Sequence, residues 1–346
     1  MHSTPEILFE RRGAAGIVTL NRPQALNAVT HGMVRALARQ LAEWETDDAV
    51  TRVIVTAAGE RAFSAGGDIR AIYDLGRAGR IEEALSYFGE EYPLNAAIKN
   101  YRKPYVSLID GIVMGGGAGL SVHGSHRVAG DRFRFAMPET AIGFFPDIGG
   151  TWFLSHMPGE LGTYCALTGA RVDAADAVAS SIATHRVASS RFPDLLEALC
   201  GATSVDAILG AFAEPIGQGP LTQACATIDR LFAGDTVEDI LAALDGAAET
   251  LARDAATTIR GNAPTSLKVA LAQVRRGKKL SFEDCMRTEY RIVQRFLRGH
   301  DLYEGIRAAI IDKDRAPKWN PSTLDAVRAA EVERHFAPVE QELVLP

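Results

Sequence analysis

Three short runs rich in β-branched residues, IVTLN (17–21), RVIVTA (52–57) and YVSLI (105–109), each stop at turn-forming residues. This pattern constrains the fold more than any other feature. Continuous apolar runs of this length, bounded by turn signals, read as buried strands. Between the first two lies THGMVRALARQLAEWE (30–45), where Met33, Val34, Leu37, Leu41 and Trp44 recur at helical spacing and Thr30 suits the N-cap. From about residue 149 the strand signals fade. Alanine-rich amphipathic segments replace them: LTQACATIDRLF, VEDILAALDGAAETLARDAATTIR and PTSLKVALAQVRR. No tandem repeat or low-complexity linker separates the two parts. The expectation is an α/β core over residues 1–190 and a mostly helical region over 191–346 packed on it.

Composition removes several classes of function. Of 346 residues, 47% are hydrophobic, enough for a large core. Forty-three acids against 37 bases leave a net charge of −6, so there is no electrostatic case for nucleic acid or an anionic membrane. Cys165, Cys200, Cys225 and Cys285 are far apart and form no CxxC pair, which suits a reducing compartment and argues against a structural metal site. The best candidate for a membrane span, YVSLIDGIVMGGGAGLSV, is broken by Asp110 and five glycines. The first residues, MHSTPEILFERRGAAG, lack the apolar core of a secretory signal and carry acids that a transit peptide avoids. The expected location is the cytoplasm.

Two glycine clusters follow strands: AFSAGGDI after 52–57 and MGGGAGL after 105–109. Each alone is compatible with a turn. Neither contains GxGxxG or Gly-Lys-Ser/Thr, so neither is a nucleotide loop. Two glycine loops at strand ends can aim two backbone N–H groups at one point, which is the construction of an oxyanion hole. Downstream, MPETAIGFFPDIGG (137–150) places Glu139 and Asp147 in an otherwise apolar, glycine-rich run. Burying an isolated carboxylate is unfavourable, so a helix-end acid and a Pro-Asp turn are the bland accounts of this pair.

NRPQALNAV, AFSAGGDI, DGIVMGGGAGLSVHG and FAMPETAIGFFPDIGG, in this order and spacing, resemble the crotonase (enoyl-CoA hydratase/isomerase) superfamily. Within it the chain is most similar to the 3-hydroxyisobutyryl-CoA hydrolase branch, through FGEEYPLN, MPETAIGFFPDIGG, APTSLK and TEYRIVQRFLRGHDLYEGIRAAIIDKDRAPKW. The resemblance runs from about residue 5 to 325. It implies a spiral of ββα units with a helical C-terminal region. It also implies that Gly67 and Gly116 hold the thioester oxygen through their N–H groups, and that Glu139 and Asp147 are the catalytic acids. Glu91 becomes a further acid of the acyl pocket, and Ala25, Leu26, Ala65 and Asp68 become wall positions for coenzyme A. Asp68 equally suits the cap of the helix that follows it. Hydratases of this superfamily carry a glutamate two residues after GGG; here that position is Gly119, while Asp147 replaces a hydratase glycine.

The chemistry so implied is thioester hydrolysis. Two N–H groups stabilise the tetrahedral oxyanion, and Glu139 activates water or attacks directly to form an anhydride. Asp147 accepts from the substrate 3-hydroxyl. Coenzyme A enters as part of the substrate, and no metal or redox cofactor is implied. Relatives assemble through a helical region of this kind, so a homo-oligomer stays open. Other patterns fit less well. GLSVHG departs from GxSxG at His123, His123 and His126 lack further ligands, and RRGKK (275–279) suits a solvated helix end. A hydratase or isomerase, and an acyl-CoA-binding protein without turnover, are the competing readings.

Overall fold

A computed structural model describes residues 5–346. Strands β1 (Ile7–Arg12) and β2 (Ala15–Leu20) form a hairpin, and the amphipathic helix α1 (His31–Thr46) leads to β3 (Arg52–Ala57). The α1 reading from the sequence holds in detail. Thr30 Oγ1 accepts from Met33 N–H, and the five periodic apolar residues are the buried ones. After β4 (Ala62–Ser64) come α2 (Ile69–Arg77) and α3 (Ile81–Lys99), then β5 (Tyr105–Ile109), β6 (Ile112–Met114) and the one-turn α4 (Gly115–Gly119). Next are β7 (His126–Ala129), β8 (Arg134–Ala136), α5 (Gly150–Ser155), α6 (Leu161–Thr168) and the two-residue strands β9 (Val172–Asp173) and β10 (His185–Arg186).

The remainder is helical. It comprises α7 (Phe192–Leu199), α8 (Val205–Phe212), α9 (Pro220–Phe232), α10 (Val237–Asp245), α11 (Thr250–Gly261), α12 (Pro264–Gly277), α13 (Phe282–Phe296), α14 (Asp301–Ile306) and α15 (Ala329–Phe336). A π-helical turn, Arg307–Ile311, continues α14.

The strands form two sheets. The larger has the order β1-β2-β3-β5-β7-β10, parallel throughout except for the β1–β2 hairpin. The smaller has the order β4-β6-β8-β9, with the first three strands parallel. The crossovers fix this alternation. Each of three strands of the large sheet is followed, within a few residues, by a short strand of the small one: β3 by β4, β5 by β6 and β7 by β8. One hydrophobic core unites α1, α3 and the helices α9 to α15 with the sheets, while α7 and α8 cover the other face of the large sheet around Ile54, Val106, Leu108 and Val128.

One detail departs from the sequence expectation and matters for the site. Neither glycine loop follows directly on the long strand to which it was assigned. AFSAGGDI contains β4, and MGGGAGL follows β6. At three residues each, these strands are too short to show a period in the sequence. Their register places Ala62 beside Ile112 and Ser64 beside Val113, and then Val113 beside Phe135 and Met114 beside Ala136. Phe63 in β4 is fully buried and anchors the first of them. Phe63→Ala should therefore lower stability by about 3–5 kcal/mol in urea unfolding, the usual cost of truncating a buried Phe.

Candidate active site

The carboxyl ends of β4, β6 and β8 lie side by side, and each releases one piece of the site. β4 leads into Gly66–Gly67, β6 into Gly115–Gly116 at the start of α4, and β8 through Met137–Pro138 into a single 3-10 turn that begins at Glu139. Val29 binds the edge of the first loop. Its N–H donates to Gly66 O at 2.8 Å and its carbonyl accepts from Asp68 N–H at 2.9 Å. In a parallel bridge of this kind the N–H of the intervening Gly67 points away from Val29. The Gly116 N–H belongs to the first turn of α4 and has no intrahelical acceptor. The two amides are close neighbours. A Cβ added at Gly116 would fall 3.1 Å from Gly67 N and 2.7 Å from Glu91 Oε1, so no side chain fits there.

These loops open into a cavity of about 230 Å³, lined among others by Ala65, Gly67, Asp68, Gly116, Glu91, Glu139 and Asp147. Ile72, Phe88, Ile142, Phe144, Leu302, Ile306 and Ile310 supply an apolar wall. The volume lies below the roughly 300–1,000 Å³ of sites that enclose a drug-sized ligand. It accommodates a short acyl group. A larger groove of about 920 Å³ runs between α1, α3 and residues 344–346, but none of its lining residues belongs to the acid cavity.

Among the described residues no lysine or arginine lines the acid cavity, so Glu91, Glu139 and Asp147 are buried without a cation. The proton affinities follow. Burial pushes the Asp147 carboxyl up to about 7, against the opposing hydrogen bond from Tyr92, whose hydroxyl donates to Asp147 Oδ2 at 2.9 Å. Glu91 rises to about 8 through burial and then the charge of Asp147, although Tyr87 OH donates to its Oε1 at 2.9 Å. Glu139 is raised well above the carboxylate range for the same two reasons, burial first, and its Oε2 is buried without a hydrogen-bond partner among the described residues. An acid with raised proton affinity and a free oxygen facing a cavity can take or give a proton near neutral pH.

Of the positions singled out in the sequence, Gly67, Gly116, Glu139, Asp147, Glu91, Ala65 and Asp68 meet at this cavity. Ala25 and Leu26 do not line it. The Leu26 carbonyl accepts from Ala65 N–H at 2.9 Å and Leu26 touches a separate small pocket, so this segment buttresses the first glycine loop. Asp68 caps α2 through Ala71 N–H and pairs with Arg22. Ser121 is buried with its hydroxyl donated to Gly117 O and sits on no strand-to-helix elbow. His126 faces Asp206, away from His123, and Arg275 and Arg276 are engaged by Glu160 and Glu333.

The space at Gly119 is occupied. A Cβ there would lie 2.9 Å from Asn95 Nδ2 and 3.1 Å from Ile148 Cβ, so a glutamate cannot enter without displacing Asn95. Sequence reasoning did not single out Tyr87, Tyr92 and Asn95. With Phe88 and Glu91 they form a stripe at i, i+1, i+4, i+5 and i+8 on α3, a periodicity that was available to find them.

The chain is similar to known proteins over nearly its whole length. The enoyl-CoA hydratase/isomerase family matches residues 15–336. The 3-hydroxyisobutyryl-CoA hydrolase, mitochondrial, of Danio rerio is 44% identical, over 97% of this chain and 90% of its own. That of Homo sapiens is 42% identical, over 96% of this chain and 88% of its own. Among solved structures, a carnitinyl-CoA dehydratase from Mycobacterium thermoresistibile superposes with a TM-score of 0.94 at 47% identity, covering 99% of both chains. An enoyl-CoA hydratase from Rhodobacter sphaeroides 2.4.1 gives 0.94 at 38% identity, covering 99% of this chain and 100% of its own.

The mitochondrial relatives overturn the cytoplasmic expectation. Reduced cysteines and an acid-bearing first segment suit more than one compartment, so neither feature discriminates. The length of the match, the shared fold and the paired glycine loops lead to one classification: the chain belongs to the enoyl-CoA hydratase/isomerase family.

Proposed function

We propose that this protein hydrolyses the thioester of a short 3-hydroxyacyl-CoA, and that 3-hydroxyisobutyryl-CoA is its substrate. One observation carries the reading. Glu139 and Asp147 share a small cavity with the Gly67 and Gly116 amides, while the position of the hydratase glutamate is closed by Asn95. The names of the relatives from Danio rerio and Homo sapiens support the same substrate. The reaction would release 3-hydroxyisobutyrate and free coenzyme A, the thioester-cleaving step of valine breakdown.

In this scheme the thioester oxygen lies against the Gly67 and Gly116 N–H groups, which strengthen their hold as charge develops on it. Glu139 takes a proton from water as the oxygen of that water attacks the carbonyl carbon, or attacks directly to give an anhydride that water opens. Collapse of the tetrahedral centre breaks the C–S bond; on the base route the proton held on Glu139 passes to the leaving thiolate, and on the anhydride route the thiolate takes its proton from the water that opens the anhydride. Asp147 accepts from the 3-hydroxyl. A buried site built for a hydroxyl rejects esters that lack it, because its own polar group is then left unpaired. Side chains and backbone amides supply all of these steps, and the coenzyme A body lies outside the acyl cavity. A second reading, addition of water to an enoyl-CoA, is favoured by the names of the two solved relatives.

A substrate panel separates the two. Thiol release from 3-hydroxyisobutyryl-CoA should be fast, isobutyryl-CoA should be cleaved slowly, and crotonyl-CoA should show little loss of enoyl absorbance. Fast hydration of crotonyl-CoA without thiol release would establish the second reading instead. Glu139→Gln keeps the shape and removes the base, so kcat should fall by roughly 10² or more with ester binding largely kept. Near-normal turnover by the folded variant would remove Glu139 from the chemistry.

Asp147 is retained at a cost in stability that pH exposes. Its folded-state pKa is raised from 3.8 to about 7, so the folded chain binds the extra proton in that window. Stability from this group is greatest at low pH and declines as pH rises from 3.8 towards 7. Asp147→Asn should therefore raise unfolding free energy in urea more at pH 8 than at pH 5, by about 3 kcal/mol, while lowering hydrolysis. An equal or smaller gain at pH 8 would contradict the assignment of the buried charge.

A further inference from the structure

Asp147 stands on a strained turn. Ile148, a β-branched residue, has φ +54°, and Gly149 follows at φ +87°. A β-branched side chain is disfavoured in the left-handed region and persists there only where the surroundings impose it. Here the constraint comes from far along the chain. Glu289 of α13 is fully buried, and its two carboxylate oxygens accept Gly149 N–H at 2.7 Å and Thr151 N–H at 2.8 Å. From the other side, His123 Nε2 donates to Ile148 O at 2.6 Å, and Gln273 Nε2 donates to Pro146 O. The backbone on both sides of Asp147 is thus gripped by side chains from other elements.

Glu289 itself lines no part of the acid cavity, so it does not touch substrate. Its arrangement is also unlike an ordinary buried acid. Among the described residues no cation pairs with it, and both of its oxygens are spent on the backbone of one turn. We infer that Glu289 is a positioning residue for substrate selection, whose carboxylate holds the Ile148–Gly149 turn so that Asp147 presents its oxygen to the 3-hydroxyl. Without it the turn relaxes towards an unstrained φ, and the Asp147 side chain swings with it. The inference rests on the proposed role of Asp147 as reader of the hydroxyl.

A residue that served stability alone would affect all esters equally when changed. A positioning residue for Asp147 affects only those that carry the hydroxyl. The test therefore measures kcat/KM for 3-hydroxyisobutyryl-CoA and for isobutyryl-CoA in wild type, Asp147→Ala and Glu289→Gln. Asp147→Ala removes both acceptor oxygens, where an amide would keep one. The amide introduced by Glu289→Gln keeps the volume but offers one acceptor oxygen where the turn needs two. Glu289→Gln should lower kcat/KM for the hydroxylated ester at least tenfold and leave the unsubstituted ester within about threefold, reproducing the loss of discrimination in Asp147→Ala. Loss of discrimination in Asp147→Ala but a uniform decline, or none, in Glu289→Gln overturns the inference and leaves the role of Asp147 intact. Unchanged discrimination in Asp147→Ala removes the reading on which it rests, and the inference with it. If Glu289→Gln does not fold, Glu289→Asp, whose shorter arm cannot reach both the Gly149 and Thr151 amides, gives the same comparison with the same outcomes.

Discussion

The parallel pairing of three very short strands, β4, β6 and β8, is the constraint on which the rest of this site depends. Each is three residues long, and none would persist outside a sheet. Their ladder sets two peptide N–H groups and one carboxyl within reach of a single small group, because the chain leaves all three strands on the same side. Ends of parallel strands recur as ligand sites for this reason, since the crossovers leave loops free there. The large sheet provides bulk and burial. The small one provides geometry.

Upon that ladder sits an electrostatic arrangement that folding alone would disfavour. Glu91, Glu139 and Asp147 are buried together without lysine or arginine among the described lining residues, and the charge of Asp147 raises the proton affinity of the other two. The tyrosines of α3 soften the cost by donating to Glu91 and Asp147, whereas Glu139 keeps one oxygen unpaired. Such an orphaned oxygen suits the base of the proposed hydrolysis. A partner within the protein would lower its basicity and occupy the lone pair that this role needs.

Much of this was legible in the sequence, and the illegible part has a physical pattern. The long strands and α1 were readable because each buries a continuous run or a regular stripe. The glycine loops and the acids of residues 137–150 stood out because their residue types are awkward in an ordinary core. By contrast β4, β6 and β8 are shorter than any period that could announce them. Glu289 stood out only as part of a family motif, since no local signal links it to a turn 140 positions earlier. Asn95 closes the Gly119 space through tertiary approach alone. Ala25 and Leu26, whose segment resembles one that holds coenzyme A, lie outside the acid cavity and brace its first glycine loop through the Leu26 carbonyl, a contact that no local pattern announces.

Leu302, Ile306 and Ile310 close the acid cavity from a part of the chain synthesised late. These residues lie more than 150 positions beyond Asp147, yet they stand in the same wall as the glycine loops and the acids. A chain cut before α14 would keep every candidate catalytic group and lose the apolar side of the cavity that holds them. The helical remainder is therefore part of the enclosure of the site and not an appendage to the sheets.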